Sequence, residues 1–227
     1  MRRLILFDID GTLVRGGPAK DAFEAAMVTT YGTVGDVASV SFAGKTDPQI
    51  ARQLLSAVGF DRQTIEAGFP ELWVRYVGHL EDFLGDQPMK VLPGVQELLD
   101  ALAGLEDVGL GLLTGNILRG AELKLRSAGL WDWFAVGSFG SDREERDELP
   151  SVALERARLH WSVQIEPAEA IVVGDTPRDV DCGRAGGTRT VAVATGTFPA
   201  AALVEAGADH VLQDLSSTGD VVELLTA

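Results

Sequence analysis

Asp8 and Asp10, in the run Asp8-Ile9-Asp10-Gly11-Thr12, are the first residues of the chain equipped for chemistry. They close an apolar run over residues 3–9 that reads as a fully buried strand. Residues two apart on a strand project to one side, so both carboxylates can reach one site. Two carboxylates held together resist joint ionisation unless a cation joins them. Gly11 then permits a tight turn. A solvated Asp-Gly turn is the plainer reading, but the pair follows a buried strand at the start of an alternating chain, which favours a site.

Two further segments offer matching chemistry. Leu112-Leu113-Thr114-Gly115-Asn116 ends another apolar run with a hydroxyl and free backbone amides, groups that bind phosphate oxygens. Taken alone, it reads equally well as an ordinary N-cap. Ile171-Val172-Val173-Gly174-Asp175 ends a third run, and Asp179 follows in the first turn of the next helix. Carboxylate oxygens suit Mg²⁺, a hard ion that also takes substrate phosphate oxygens. Asp179 could instead serve only to complement the helix dipole.

These segments need a scaffold that brings strand ends together. Short apolar runs recur at 110–113, 135–139, 170–173, 190–194 and, more weakly, 210–212. Helical patterns at 94–103, 118–128, 150–160 and 177–185 separate most of them, two opening with proline at the first helical position. Alternation of this kind predicts an α/β fold with a parallel sheet covered by helices on both faces. The carboxyl edge of such a sheet is where ligands bind. Residues 14–88 break the rhythm. Ala22, Phe23, Ala26, Met27 and Thr30 share one helical face; so do Ile50, Leu54 and Val58, and then Ile65, Phe69, Leu72, Tyr76 and Leu80. An all-helical insertion is expected over 15–88, flanked by glycine-marked connections, with the sheet domain formed by 1–14 and 89–227.

Composition bounds the partners. A formal net charge of -15 over 227 residues argues against nucleic acid, which is bound by clustered Lys and Arg. Cys182 is the only cysteine, so no internal disulfide or multi-cysteine metal site can form, and a reducing cytoplasm is expected. No apolar run approaches a signal-peptide core or a membrane span, so a soluble, cytoplasmic protein is expected.

The three motifs, in this order and with helices inserted after the first, resemble the haloacid dehalogenase-like hydrolase superfamily over nearly the whole chain. The insertion resembles the helical cap of its phosphoglycolate phosphatase-like branch, and Phe42-Ala43-Gly44-Lys45-Thr46-Asp47 resembles a cap loop of that branch. The resemblance implies a Rossmann-like core and a Mg²⁺-dependent phosphatase acting on a small phosphorylated metabolite. It implies Asp8 as nucleophile and metal ligand, with Asp10 as general acid, then base, and a metal ligand through its carbonyl. Thr114, Gly115 and Asn116 would hold the phosphoryl group, Asp175 would complete the metal shell with Asp179 behind it, and Lys45 would reach the substrate. Such positioning and charge neutralisation are what phosphoryl transfer requires.

One motif departs from the family. Residues 141–150 lack the lysine usually placed before the helix preceding the last motif. Arg146, or else Arg143, is expected to supply that charge, as a planar fork instead of a compact ammonium. Two other readings stay open: a phosphosugar mutase with the same nucleophile, and a module that binds a phosphometabolite or partner without turnover. The oligomeric state is not legible.

Overall fold

A computed structural model describes residues 3–38 and 40–227; Met1 and Arg2, where the expected sheet-domain segment 1–14 begins, lie outside them. The strands are β1 (Arg3–Phe7), β2 (Val14–Arg15), β3 (Lys90–Val91), β4 (Val108–Thr114), β5 (Val136–Phe139), β6 (Ala170–Gly174), β7 (Arg189–Val193) and β8 (His210–Leu212). The helices are α1 (Ala19–Tyr31), α2 (Asp47–Ala57), α3 (Arg62–Leu84), α4 (Val95–Ala103), α5 (Leu118–Ser127), α6 (Leu149–Trp161), α7 (Pro177–Ala185), α8 (Ala200–Glu205) and α9 (Thr218–Thr226).

Six strands form a parallel sheet in the order β5-β4-β1-β6-β7-β8. β1 lies between β4 and β6, with Ile5 opposite both Leu110 and Ile171. Its alternation explains the continuous apolar run. Ile5 and Phe7 join a core with Leu98 and Leu102 of α4 and Val221 and Leu225 of α9. Leu4 and Leu6 join a second core with Leu149, Ala153 and Ala157 of α6. Both faces of the sheet are therefore covered, as a parallel sheet requires.

The inserted helices follow their expected stripes except at Val58, which caps α2 and is 45% exposed. Phe23, Ala26 and Met27 of α1, Leu54 of α2, and Leu72, Tyr76 and Leu80 of α3 are all buried, and Phe23 meets Tyr76 edge-on at 5.6 Å. α2 starts at a capping box in which the Thr46 hydroxyl accepts from Gln49 N and the Gln49 side chain accepts from Thr46 N.

The boundary of the first strand is corrected. The first strand ends at Phe7, not Ile9. Asp8 N still donates to Val173 O at 2.9 Å, but Ile9 O turns back to accept from Leu13 N and Val14 N at 2.9 and 3.0 Å. A turn, not strand alternation, therefore brings Asp8 and Asp10 together. The expected glycine-marked connections lie at Gly16–Gly17, both at positive φ, and at 85–88, and a short ribbon flanks them. Val14 pairs with Val91 and Arg15 with Lys90 in a two-residue antiparallel ribbon.

Candidate active site

β4, β1 and β6 are neighbours, so the three polar strand ends converge. Asp8, Asp10, Thr114, Asn116 and Asp175 line one cleft of about 470 Å³, roofed by Lys45, Phe23 and Tyr76 from the inserted segment. This is the crevice at the carboxyl edge where strand order reverses. None of the tryptophans or histidines is among its lining residues.

Carboxylates from Asp8, Asp175 and Asp179 each place an oxygen within 4.8 Å of the others. Burial pushes the Asp8 carboxyl up to about 6; Arg146 opposes that shift, while Asp179 and Asp10 add to it. Burial pushes Asp175 up to about 8, helped by the charges of Asp179 and Asp8. Among the described residues, only the Thr12 hydroxyl donates to Asp175, at 3.3 Å. Asp179 is already satisfied: Oδ2 accepts from Thr176 N and Oγ1 at 2.9 and 2.7 Å, and Oδ1 accepts from Arg146. Unfilled lone pairs therefore sit on Asp8 and Asp175, an all-oxygen set that fits a hard divalent cation such as Mg²⁺. Gly11 makes the approach possible. Its φ is +88°, and a Cβ there would lie 2.4 Å from Asp175 Oδ2.

Arg146 stands in a 3₁₀ turn (Arg146–Glu148) before α6 and is only 4% exposed. Its Nη2 lies 3.3 Å from Asp8 Oδ1 and donates to Asp179, while Nη1 donates to Gly44 O of the inserted segment at 3.3 Å. Burial alone would lower its pKa, but Asp179 and Asp8 outweigh it and the net shift is upward. Arg143 lies outside this cluster, paired at the surface with Glu148 at 3.2 Å.

The loop after β4 is braced from two sides. Thr114 Oγ1 accepts from Asn116 Nδ2 at 2.8 Å, and the same Nδ2 donates to Asp10 Oδ2 at 2.8 Å. Opposite, Gly115 O accepts from Asp47 N at 2.8 Å. A Cβ on Gly115 would lie 2.1 Å from Lys45 O, so only glycine admits the segment 42–47 this closely. Lys45 lines the cleft with Nζ donating to Gln53 Oε1 at 2.5 Å.

Lys124 and Asp47 also line the cleft, and the sequence reading gave neither a role. Lys124 of α5 is 4% exposed, and its Nζ donates to Asp10 Oδ2 at 2.7 Å and Asn116 Oδ1 at 2.6 Å. Its signal was there: Ile117, Ala121 and Lys124 fall on one helical stripe, with a lysine on the buried side. Asp47 opens α2 with its carboxylate buried, and the capping box around Thr46 marked that helix start.

Known proteins are similar to this chain. A family model described as haloacid dehalogenase-like hydrolase matches residues 2–187. A phosphoglycolate phosphatase from Synechococcus elongatus is 30% identical over 227 residues, covering 98% of this chain and 96% of that protein. An N-acetylmuramic acid 6-phosphate phosphatase from Pseudomonas putida is 28% identical over 205 residues, covering 86% and 83%. The crystal structure of a hydrolase from Pseudomonas syringae superposes with a TM-score of 0.69 at 19% identity, covering 99% of each chain.

Proposed function

Because this chain belongs to the haloacid dehalogenase-like hydrolases, we propose that it is a phosphomonoester hydrolase that carries the phosphoryl group covalently on Asp8. The observation that supports this best is that Asp8 and Asp10 line one cleft while held by different cations, Asp8 beside Arg146 and Asp10 beside Lys124. Separate partners give two neighbouring carboxylates separate tasks.

In the first step an Asp8 oxygen attacks phosphorus in line, the ester P–O bond breaks, and Asp10 gives its proton to the departing oxygen. In the second, Asp10 takes a proton from water as that water attacks the aspartyl-phosphate, which releases phosphate and restores Asp8. Asp10 has the access for this, its side chain being 45% exposed where Asp8 is nearly covered. The Thr114 hydroxyl and the Gly115 and Asn116 amides serve the phosphoryl oxygens. Asp8, Asp175 and the Asp10 carbonyl would hold Mg²⁺, with Asp179 fixing Arg146 behind them. When bound, the ion would neutralise charge on the phosphoryl oxygens.

Residues 15–88 act as a cap over a core of 1–14 and 89–227, and Lys45 contributes to the leaving-group side. The named substrates of the relatives, phosphoglycolate and N-acetylmuramic acid 6-phosphate, differ widely in the part beyond the phosphate. The reading therefore stops at a small phosphorylated metabolite. Phosphate release from a panel of phosphomonoesters, with and without Mg²⁺ and beside Asp8→Asn, tests it. Metal-dependent release lost in the variant supports the reading. A sugar phosphate isomerised without free phosphate would replace it with mutase chemistry.

A further inference from the structure

We infer that Lys124 is a positioning residue for Asp10, fixing which carboxylate oxygen carries the proton delivered to the leaving group. The inference rests on the phosphatase reading above. Lysine has donors and no acceptor, so the Asn116 atom facing Lys124 Nζ at 2.6 Å must be its carbonyl oxygen. That assignment turns Asn116 Nδ2 toward Asp10 Oδ2 and Thr114 Oγ1, both at 2.8 Å. Lys124 adds its own 2.7 Å bond to the same Asp10 oxygen. Oδ2 therefore takes two donors, and no described residue donates to Oδ1. The acid proton is left to Oδ1, and the carboxyl group cannot turn over without breaking both bonds on Oδ2.

Lys124 sits in the last turn of α5, where a cation would ordinarily complement the helix dipole. Its ammonium instead reaches across to β1's turn and to the loop after β4. Burying an amine costs free energy that an apolar side chain on the same stripe would avoid. Gly120, one turn earlier, packs against the ring of Tyr76, so the stripe is otherwise ordinary helix packing.

The test compares wild type with Lys124→Met and Lys124→Gln on an alkyl phosphate and on p-nitrophenyl phosphate, reading kcat/KM for each. This ratio covers steps up to departure of the alcohol, the step Asp10 assists. An alkoxide needs the proton, whereas nitrophenolate leaves without it. The alkyl ester should lose about 10²-fold, the lower end of what general acid catalysis contributes, and the aryl ester only a few-fold. Equal losses on both esters, or no loss on either, would overturn the role, as would both variants failing to fold. Wild type releasing phosphate from neither ester would remove the phosphatase reading and this role with it, an outcome separable from the others because it needs no variant.

Discussion

The Asp47 carboxylate, in the first turn of α2, accepts a 2.8 Å hydrogen bond from the backbone N of Ile117, the residue that precedes α5 across the cleft. A helix of the insertion thereby satisfies a donor at the start of a core helix, a group that would otherwise lack a partner. Asp47→Ala should cost about 1–3 kcal/mol, the usual cost of leaving such a group unpaired. KM should rise more than kcat falls, because the bond holds the two parts together. Asp47→Asn keeps an acceptor and should retain most of the affinity.

Burial pushes the Asp47 carboxyl up to about 6, against the pull of Lys124. A raised acid holds its proton more tightly in the native state, so its stabilising share is complete below the ordinary carboxylate range and is lost as pH rises through about 6. Thermal melts of metal-free protein should therefore show a steeper decline in Tm for wild type than for Asp47→Asn over that interval. Parallel profiles would contradict it.

Asp8 and Asp175 are likewise raised, to about 6 and about 8, mainly by burial, with the charge of Asp179 adding to both. A cation binding there must displace those protons, so Mg²⁺ affinity should increase with pH. The rise in Tm on adding Mg²⁺ should be larger at about pH 8.5 than at about pH 5.5, and Asp175→Asn should abolish most of it. Calorimetry in buffers of different ionisation enthalpy would count the protons released.

The guanidinium of Arg146 touches Asp8, Asp179 and Gly44 O at once. Arg146→Lys preserves the charge, but one ammonium cannot span all three. We expect roughly a tenfold loss in kcat, equivalent to about 1.4 kcal/mol, with little change in Tm. Arg146→Ala leaves Asp179 buried without its cation and should destabilise by about 3–5 kcal/mol. Melting and kinetics on the two variants separate charge from shape.

Much of this site was legible because its acids sit where apolar strands stop. Asp8, Thr114 and Asp175 each end a run whose burial follows from neighbouring strands, so their convergence could be read without coordinates of any kind. Arg146 was found from a missing lysine and its distance to the next helix. Lys124 was missed because a lysine between Glu122 and Arg126 reads as part of a solvated face, and those neighbours do pair with each other at 2.9 Å. The two-residue ribbon is too short to leave a pattern of alternation.

Gly115→Ala probes how closely the insertion seats. The added carbon would fall 2.1 Å from the Lys45 carbonyl, a backbone atom with little room to move. Overpacking of this order costs about 1–3 kcal/mol. KM should increase, and limited proteolysis within 42–47 should quicken relative to wild type. Unchanged cleavage with unchanged KM would mean that the segment does not need this contact.

The short ribbon shares its hydrogen bonds with the turn that carries the two acids: Val14 N donates to Ile9 O at 3.0 Å, Gly11 N to Val14 O at 2.8 Å, and Leu92 N to Leu13 O at 3.0 Å. The ribbon and the turn carrying Asp8 and Asp10 are thus one mechanical part. Any tilt of the insertion pulls on the peptide that links Asp8 to Asp10, so on the proposed reading the insertion should not be lengthened, shortened or re-angled at its root without moving Asp10. Exchange of whole lids between relatives should succeed only when the cuts fall beyond Arg15 and before Lys90, leaving this lever intact.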